Sequence, residues 1–179
     1  MRIRYYRAED LPTLEHLQQL AISADRLSAE SAHMLIDWLQ QAVLEPQPSV
    51  FVVRDDDDEM NTWGQAGTLD GVEGELVGYT ALRLLDDEHA YHLRCLGTVH
   101  PEYRRQNAGR ILLVSALNRA RMLAAEFEFE AEQEGRPIYF EALLPVYDPA
   151  AARLAARFEM VPTDEPVPAG LCLYQRELW

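Results

Sequence analysis

The sequence predicts an α/β domain (α+β in some schemes), with helices flanking one central sheet. Two observations carry that reading. Runs rich in strand formers and stretches with helical apolar spacing follow one another in the order β, α, α, β, β, β, α, β, α, β. In addition, residues 99–110 (VHPEYRRQNAGR) sit where an apolar strand hands over to a long amphipathic helix. At 179 residues the chain is read as one domain, 1–179, able to bury a sizeable core.

Residues 1–7 (MRIRYYR) read as the first strand. Residues 8–10 lead into a helix (LPTLEHLQQLAISA) with Pro12 in its first turn, where the missing N–H is tolerated. A second helix fits SAESAHMLIDWLQQAVL, starting after Ser28 with Glu30 and Ser31 near the cap. Strands follow over 50–54, 75–85 and 90–99. Ile111, Leu112, Val114, Leu117 and Leu123 then mark one face of a third, long helix. Residues 137–143 form a fifth strand, 148–158 a fourth helix and 171–178 a closing strand. That makes six strands and four helices, or seven strands with a short one after Met160. No repeat is present.

Two acidic stretches need separate readings. Residues 55–75 (DDDDEMNTWGQAGTLDGVEGE) join two strands that should pair, and read as a long hairpin connection. A solvated loop is the first explanation; a guide for cationic substrates or a partner contact is the functional one. Residues 125–134 (AEFEFEAEQE) continue the long helix, and negative charge at a helix C-terminus calls for a local offset or a frayed end.

The formal charge is −14, with 30 acids against 16 bases. Such a balance argues against nucleic-acid binding and against docking to an acidic membrane. No apolar run approaches the ~20 residues that would cross a bilayer, and no signal peptide opens the chain. Cys95 and Cys172 lack metal spacing, so no metal is expected and both read as core packing in a cytoplasmic setting.

The handover at 99–110 carries chemistry. It contains Pro101, three arginines (Arg104, Arg105, Arg110) and the small or turn-tolerant Asn107, Ala108 and Gly109. A helix start presents unpaired N–H groups and about half a positive charge, so it suits an anion. Arginines disfavoured there by the dipole, with small residues that admit a ligand, point to phosphate, and a pyrophosphate fits best.

Val99-His100-Pro101, followed by Arg104-Arg105-Gln106-Asn107-Ala108-Gly109-Arg110, resembles the acyl-coenzyme-A loop of the GNAT acyltransferases. That signature is Arg/Gln-x-x-Gly-x-Gly/Ala after a strand ending near Val-x-Pro. Asn107 replaces the first glycine, and Asn enters left-handed backbone conformations more readily than other non-glycine residues. The order of elements fits the same fold over nearly the whole chain. The resemblance implies a mixed, mostly antiparallel sheet whose fourth and fifth strands run parallel and splay apart. It implies acetyl coenzyme A as co-substrate, with Arg104 to Arg110 on the pyrophosphate. Gly97, Thr98 and Val99 would offer backbone groups to the pantetheine arm and the thioester oxygen.

Acyl transfer in that family proceeds by direct attack of an amine. A lysine-like amine costs roughly 4–5 kcal/mol to deprotonate at pH 7 and an α-amino group only about 1 kcal/mol, so the first needs a base. Glu141, a carboxylate in an apolar strand, is the leading candidate; His92, Cys95 and His100 are the others, each with an alternative packing role. The family's Asn-x-x-Ala-x-x-Leu-Tyr run appears as Asp148-Pro149-Ala150-Ala151-Ala152-Arg153-Leu154-Ala155. Asp148 reads chiefly as a helix cap beside the coenzyme site. Ala155 occupies the place of the tyrosine that protonates the departing thiolate, leaving Tyr147 or Tyr174 as substitutes.

The expected function is therefore acetyl transfer to a small-molecule or peptide amine. A homodimer is compatible with the resemblance. The alternative is a catalytically silent module of the same fold that binds acyl coenzyme A or a protein partner.

Overall fold

Val50, Phe51, Val52 and Val53 are apolar at four successive positions, so both faces of their strand need cover. In the computed structural model, which describes residues 1–55 and 74–178, they are all buried. Helices α1 (Leu11–Ala24) and α2 (Ala29–Val43) cover one face, and α3 (Ala108–Glu134) and α4 (Pro149–Arg157) the other. Leu14, Leu17, Leu39 and Ala42 pack on Val50 and Val52. Ala108 and Leu112 pack on Phe51 and Val53.

The described residues form one sheet of seven strands. These are β1 (Arg2–Tyr5), β2 (Ser49–Asp55), β3 (Glu75–Asp86), β4 (Tyr91–Val99), β5 (Ile138–Pro145), β6 (Val161–Pro162) and β7 (Leu171–Glu177). Their spatial order is β1-β2-β3-β4-β5-β7-β6, and each pair is antiparallel except β4 with β5. The mixed, mostly antiparallel α/β architecture is the one expected, and the short strand after Met160 is β6. Asp55 pairs with Glu75, closing the hairpin between β2 and β3. The remainder of the acidic connection, 56–73, lies outside the described residues.

Local chemistry sets the boundaries. Ser28 caps α2 by accepting the Ser31 N–H at 3.1 Å, and Ser31 Oγ in turn donates to the Ala169 carbonyl at 2.6 Å. Asp148 caps α4 by accepting the Ala150 N–H at 2.9 Å, with Pro149 in the first turn. The acidic end of α3 is offset locally. Gly135 turns the chain at φ 66°, and Arg136 lies 3.9 Å over the Tyr91 ring, bonded to Glu134 and Asp86. No helix among the described residues is long and apolar enough to cross a membrane.

One pairing matters most for function. β4 and β5 stay in parallel register from Tyr91 with Ile138 to Leu96 with Leu143, and then part. The last residues of β4 continue beside β3, with Gly78 opposite Val99, while β5 continues beside β7. Gly97 sits at the parting, against β3 at a separation only glycine permits. A Cβ there would lie 2.2 Å from the Tyr79 carbonyl oxygen and 2.7 Å from Thr80 Cα. Gly97→Ala is therefore expected to force these strands apart, at a cost of about 3 kcal/mol in chemical denaturation.

Candidate functional site

Where β4 and β5 separate, a cavity of about 380 Å³ passes between them. On the α1 side, Gln18, Ala21, Ile22 and Asp25 line it at helical spacing, with Leu27 and Leu35 nearby. Gly97, Thr98 and Val99 form one strand wall, and Leu143, Leu144 and Pro145 the other. The starts of α3 and α4 close the far side.

The loop before α3 makes the mouth. Pro101–Tyr103 is a single 3-10 turn, fixed by the Glu102 N–H donating to His100 Nδ1. Arg105 and Asn107 both take left-handed backbone conformations, at φ 66° and 70°. Asn107 thus supplies the turn for which the family uses glycine. Its side chain makes no capping hydrogen bond to α3. The first-turn N–H groups of α3 lack intrahelical partners, and Asn107, Gly109 and Arg110 line the cavity.

Arginines converge on this mouth. All 16 basic residues are arginines. Many are held by carboxylates: Arg4 by Asp10, Arg83 by Glu45, Arg94 by Glu141 and Glu165, Arg136 by Glu134. Arg105, Arg110, Arg153 and Arg157 line the cavity, are exposed, and form no ion pair among the described residues. The two on α4 escape the sequence reading. Their signal is a pair of arginines one helical turn apart in a short helix otherwise made largely of alanine.

The structure separates the loop residues that the sequence groups together. Arg104 does not reach outward with Arg105 and Arg110. Its guanidinium grips Asp25 at 2.6 and 2.9 Å, and its Nε donates to the Val99 carbonyl at 3.2 Å. Asp148 Oδ2 stands 4.0 Å away. The arginine therefore ties the end of α1 to the loop beside the cavity. Ala108 is buried and Gln106 reaches back toward the Glu102 carbonyl at 3.4 Å, so neither lines the cavity.

Glu141 is not brought to the cavity either. It is fully buried and accepts from Arg94 Nε at 2.7 Å, while His92 Nδ1 lies 2.8 Å from its other oxygen. Gln175 Nε2 stands 3.5 Å away and Asp87 holds the far side of the imidazole at 3.1 Å. A carboxylate with both oxygens engaged, behind the cavity wall, is a tie between β4, β5 and β7. The sequence singles it out as polar in an apolar strand; only the register shows its partners Arg94 and Gln175 opposite.

Of the other candidates, Cys95 lines the cavity, and burial pushes its thiol up to about 12. His100 braces the loop. Tyr147 is exposed beside a second hollow next to Arg104, outside the gap between the strands. Tyr174 packs against the core with Phe140 and Ala142. Ala155 is buried among α3 residues. Gln18 and Tyr79 are further cavity residues that the sequence does not single out. The Tyr79 hydroxyl donates to Gln18 Oε1 at 2.6 Å, and Gln18 Nε2 has no partner among the described residues.

A parallel pair that parts beside an uncapped helix start and a basic mouth leaves room for an extended, anionic ligand. Residues 14–137 match the model of the acetyltransferase (GNAT) family, and the chain belongs to that family. Solved structures agree on the fold. One is yncA from Salmonella typhimurium with its cofactor acetyl-CoA, with 17% identity and a TM-score of 0.54, covering 100% of this chain and 94% of that one. Arabidopsis thaliana NAA60 in complex with a bisubstrate analogue shares 13% identity at a TM-score of 0.61, covering 99% of each. Ard1 from Thermoplasma volcanium shares 12% at 0.58, covering 99% and 97%. No curated protein sequence matches the chain significantly.

Two substitutions probe this geometry. Gly109 faces Leu154 across the start of α3, where a Cβ would sit 3.5 Å from Leu154 Cδ2 and 3.9 Å from Val99 Cγ2. Gly109→Ala should be tolerated, whereas Gly109→Trp should fill the mouth and abolish coenzyme A binding in a folded protein, as read by calorimetry and circular dichroism. Glu141→Gln should lower stability by about 2 kcal/mol in chemical denaturation, since it leaves Arg94 and His92 short of a charged partner. The affinity for coenzyme A should not change.

Proposed function

We propose that this protein is an N-acetyltransferase that moves an acetyl group from acetyl coenzyme A to an amine by direct attack. The observation that carries the reading is the group of four arginines, without an ion pair among the described residues, around the uncapped start of α3 and opening into the gap between β4 and β5. In a chain of formal charge −14, a cluster of cations with no carboxylate partner among the described residues suits a polyanionic ligand. The open gap supports catalysis over a silent module, for which a blocked gap would be expected.

Each residue then has a task. Arg105, Arg110 and the first N–H groups of α3 hold the pyrophosphate. Arg104 works through its grip on Asp25 and Val99, which holds the loop in place. Past Leu96, the backbone of Gly97, Thr98 and Val99 has no β5 partner, so it can pair with the pantetheine amides and support charge on the thioester oxygen. Acetyl coenzyme A would supply the activated acyl group; the amine N–C bond forms as the thioester C–S bond breaks, the leaving thiol ionises near 8–9, and the proton lost by the amine passes to the thiolate or to solvent. That thiol departs without the tyrosine missing at Ala155.

No free base lines the cavity among the described residues. Asp25 is held by Arg104, Asp148 caps α4, and no histidine is present. The acceptor is accordingly a small-molecule or peptide amine that is readily neutral near pH 7, of which an α-amino group is the simplest case. We place this activity in the cytoplasm, in a single-domain chain. Cys95 does not carry the acyl group, because a thiol raised to about 12 stays protonated and a covalent route needs the thiolate.

Calorimetric titration with acetyl coenzyme A, free and desulfo coenzyme A as controls, tests the first half of the proposal. Micromolar binding is expected, and no binding by folded protein overturns it. Cys95→Ala should retain transfer. With an α-amine acceptor, kcat/KM should rise about tenfold per pH unit until the amine's own pKa near 8, then level off. A further limb from an ionising enzyme group would show that a base has been overlooked.

A further inference from the structure

Four arginines are more than a pyrophosphate requires. It carries two negative charges and already has the α3 start, Arg105 and Arg110. Arg153 and Arg157 stand apart from these. They are one turn apart on α4, so they share a face. Between them Leu154 packs on Gly109 at the first turn of α3, which sets α4 directly against the pyrophosphate loop. Both line the same cavity, both are exposed, and neither has a carboxylate partner among the described residues, in a chain whose acids outnumber its bases by 30 to 16. Two like charges one turn apart repel, and only Arg157 falls in the last turn, where the helix dipole favours it. A second anionic centre beside the pyrophosphate would account for both.

We infer that Arg153 and Arg157 bind the 3′-phosphate of the coenzyme, making α4 the element that distinguishes coenzyme A from its 3′-dephospho form. The inference rests on the coenzyme A reading of the cavity. A 3′-phosphate is a monoester of charge about −1.5 to −2 near neutral pH. Together with the pyrophosphate it brings the ligand to about −4, matched by the four arginines. Guanidinium groups suit it because they can donate two parallel hydrogen bonds to phosphate oxygens.

The test is calorimetric binding of coenzyme A and 3′-dephospho coenzyme A to three proteins: wild type, Arg153→Gln/Arg157→Gln, and Arg105→Gln/Arg110→Gln. Glutamine keeps the helix propensity of arginine, and circular dichroism checks each fold. Wild type should prefer coenzyme A by about tenfold or more, the range of charge-assisted hydrogen bonds. The α4 variant should bind both ligands alike, at the affinity wild type has for the dephospho form. The loop variant should lose affinity for both and keep the preference. Equal binding of the two ligands by wild type overturns the inference, as does a preference that survives in the α4 variant or disappears in the loop variant. Failure of wild type to bind either ligand would instead overturn the coenzyme A reading itself.

Discussion

The cavity of this molecule depends on the parallel ladder between β4 and β5 ending at Leu96 and Leu143. Inside a sheet each backbone N–H and C=O has a neighbour, and leaving them unpaired in a buried place is costly. Here the last residues of β4 keep β3 on one side and lose β5 on the other. The gap is tolerated because it opens into a cavity, where Arg104 takes the Val99 carbonyl. A sheet that stayed paired to its end would be more regular and would have no place for a ligand arm.

Charge is distributed to keep that gap usable. The buried or half-buried ionic groups are neutralised close to home, as in Asp10 with Arg4, Glu141 with Arg94 and Asp25 with Arg104. Burial raises the Asp10 pKa, but hydrogen bonds from Arg4 and the Arg7 backbone outweigh it and leave the group lowered. Such pairs add little net stability while strongly penalising the loss of one partner. Arg105, Arg110, Arg153 and Arg157 are left outside this scheme, so the mouth is locally basic on an acidic chain. Attraction there is local and screened by salt over about 10 Å. The acidic remainder of the surface would discourage other polyanions.

Much of the fold was legible from local chemistry alone. Apolar spacing located the four helices, Ser28 and Asp148 announced their caps, and β-rich runs located the strands. Helical and strand periodicities are properties of neighbouring residues, so they are written into the order of the chain. Asn107 belongs to the same class, because its tolerance of positive φ is intrinsic and the structure uses it at φ 70°. The glutamates of 125–134 alternate as in a strand, yet the stretch continues the helix as expected, with Ala124 and Ala131 docked in the core.

By itself the sequence determined the family, the order of elements and the phosphate-suited loop, because each depends on residue type and short spacing. Tertiary structure alone decided which charges are free. Asp25 meets Arg104 across 79 residues, so nothing near Arg104 reveals that its side chain is taken. Glu141 looks available in its own strand and is consumed by β4 and β7 neighbours. Arg153 and Arg157 look like ordinary surface residues until Leu154 packs on Gly109 and sets them beside the mouth. Long-range register and packing determine these pairings, and hydrogen-bond and charge partners follow distance in space rather than distance along the chain.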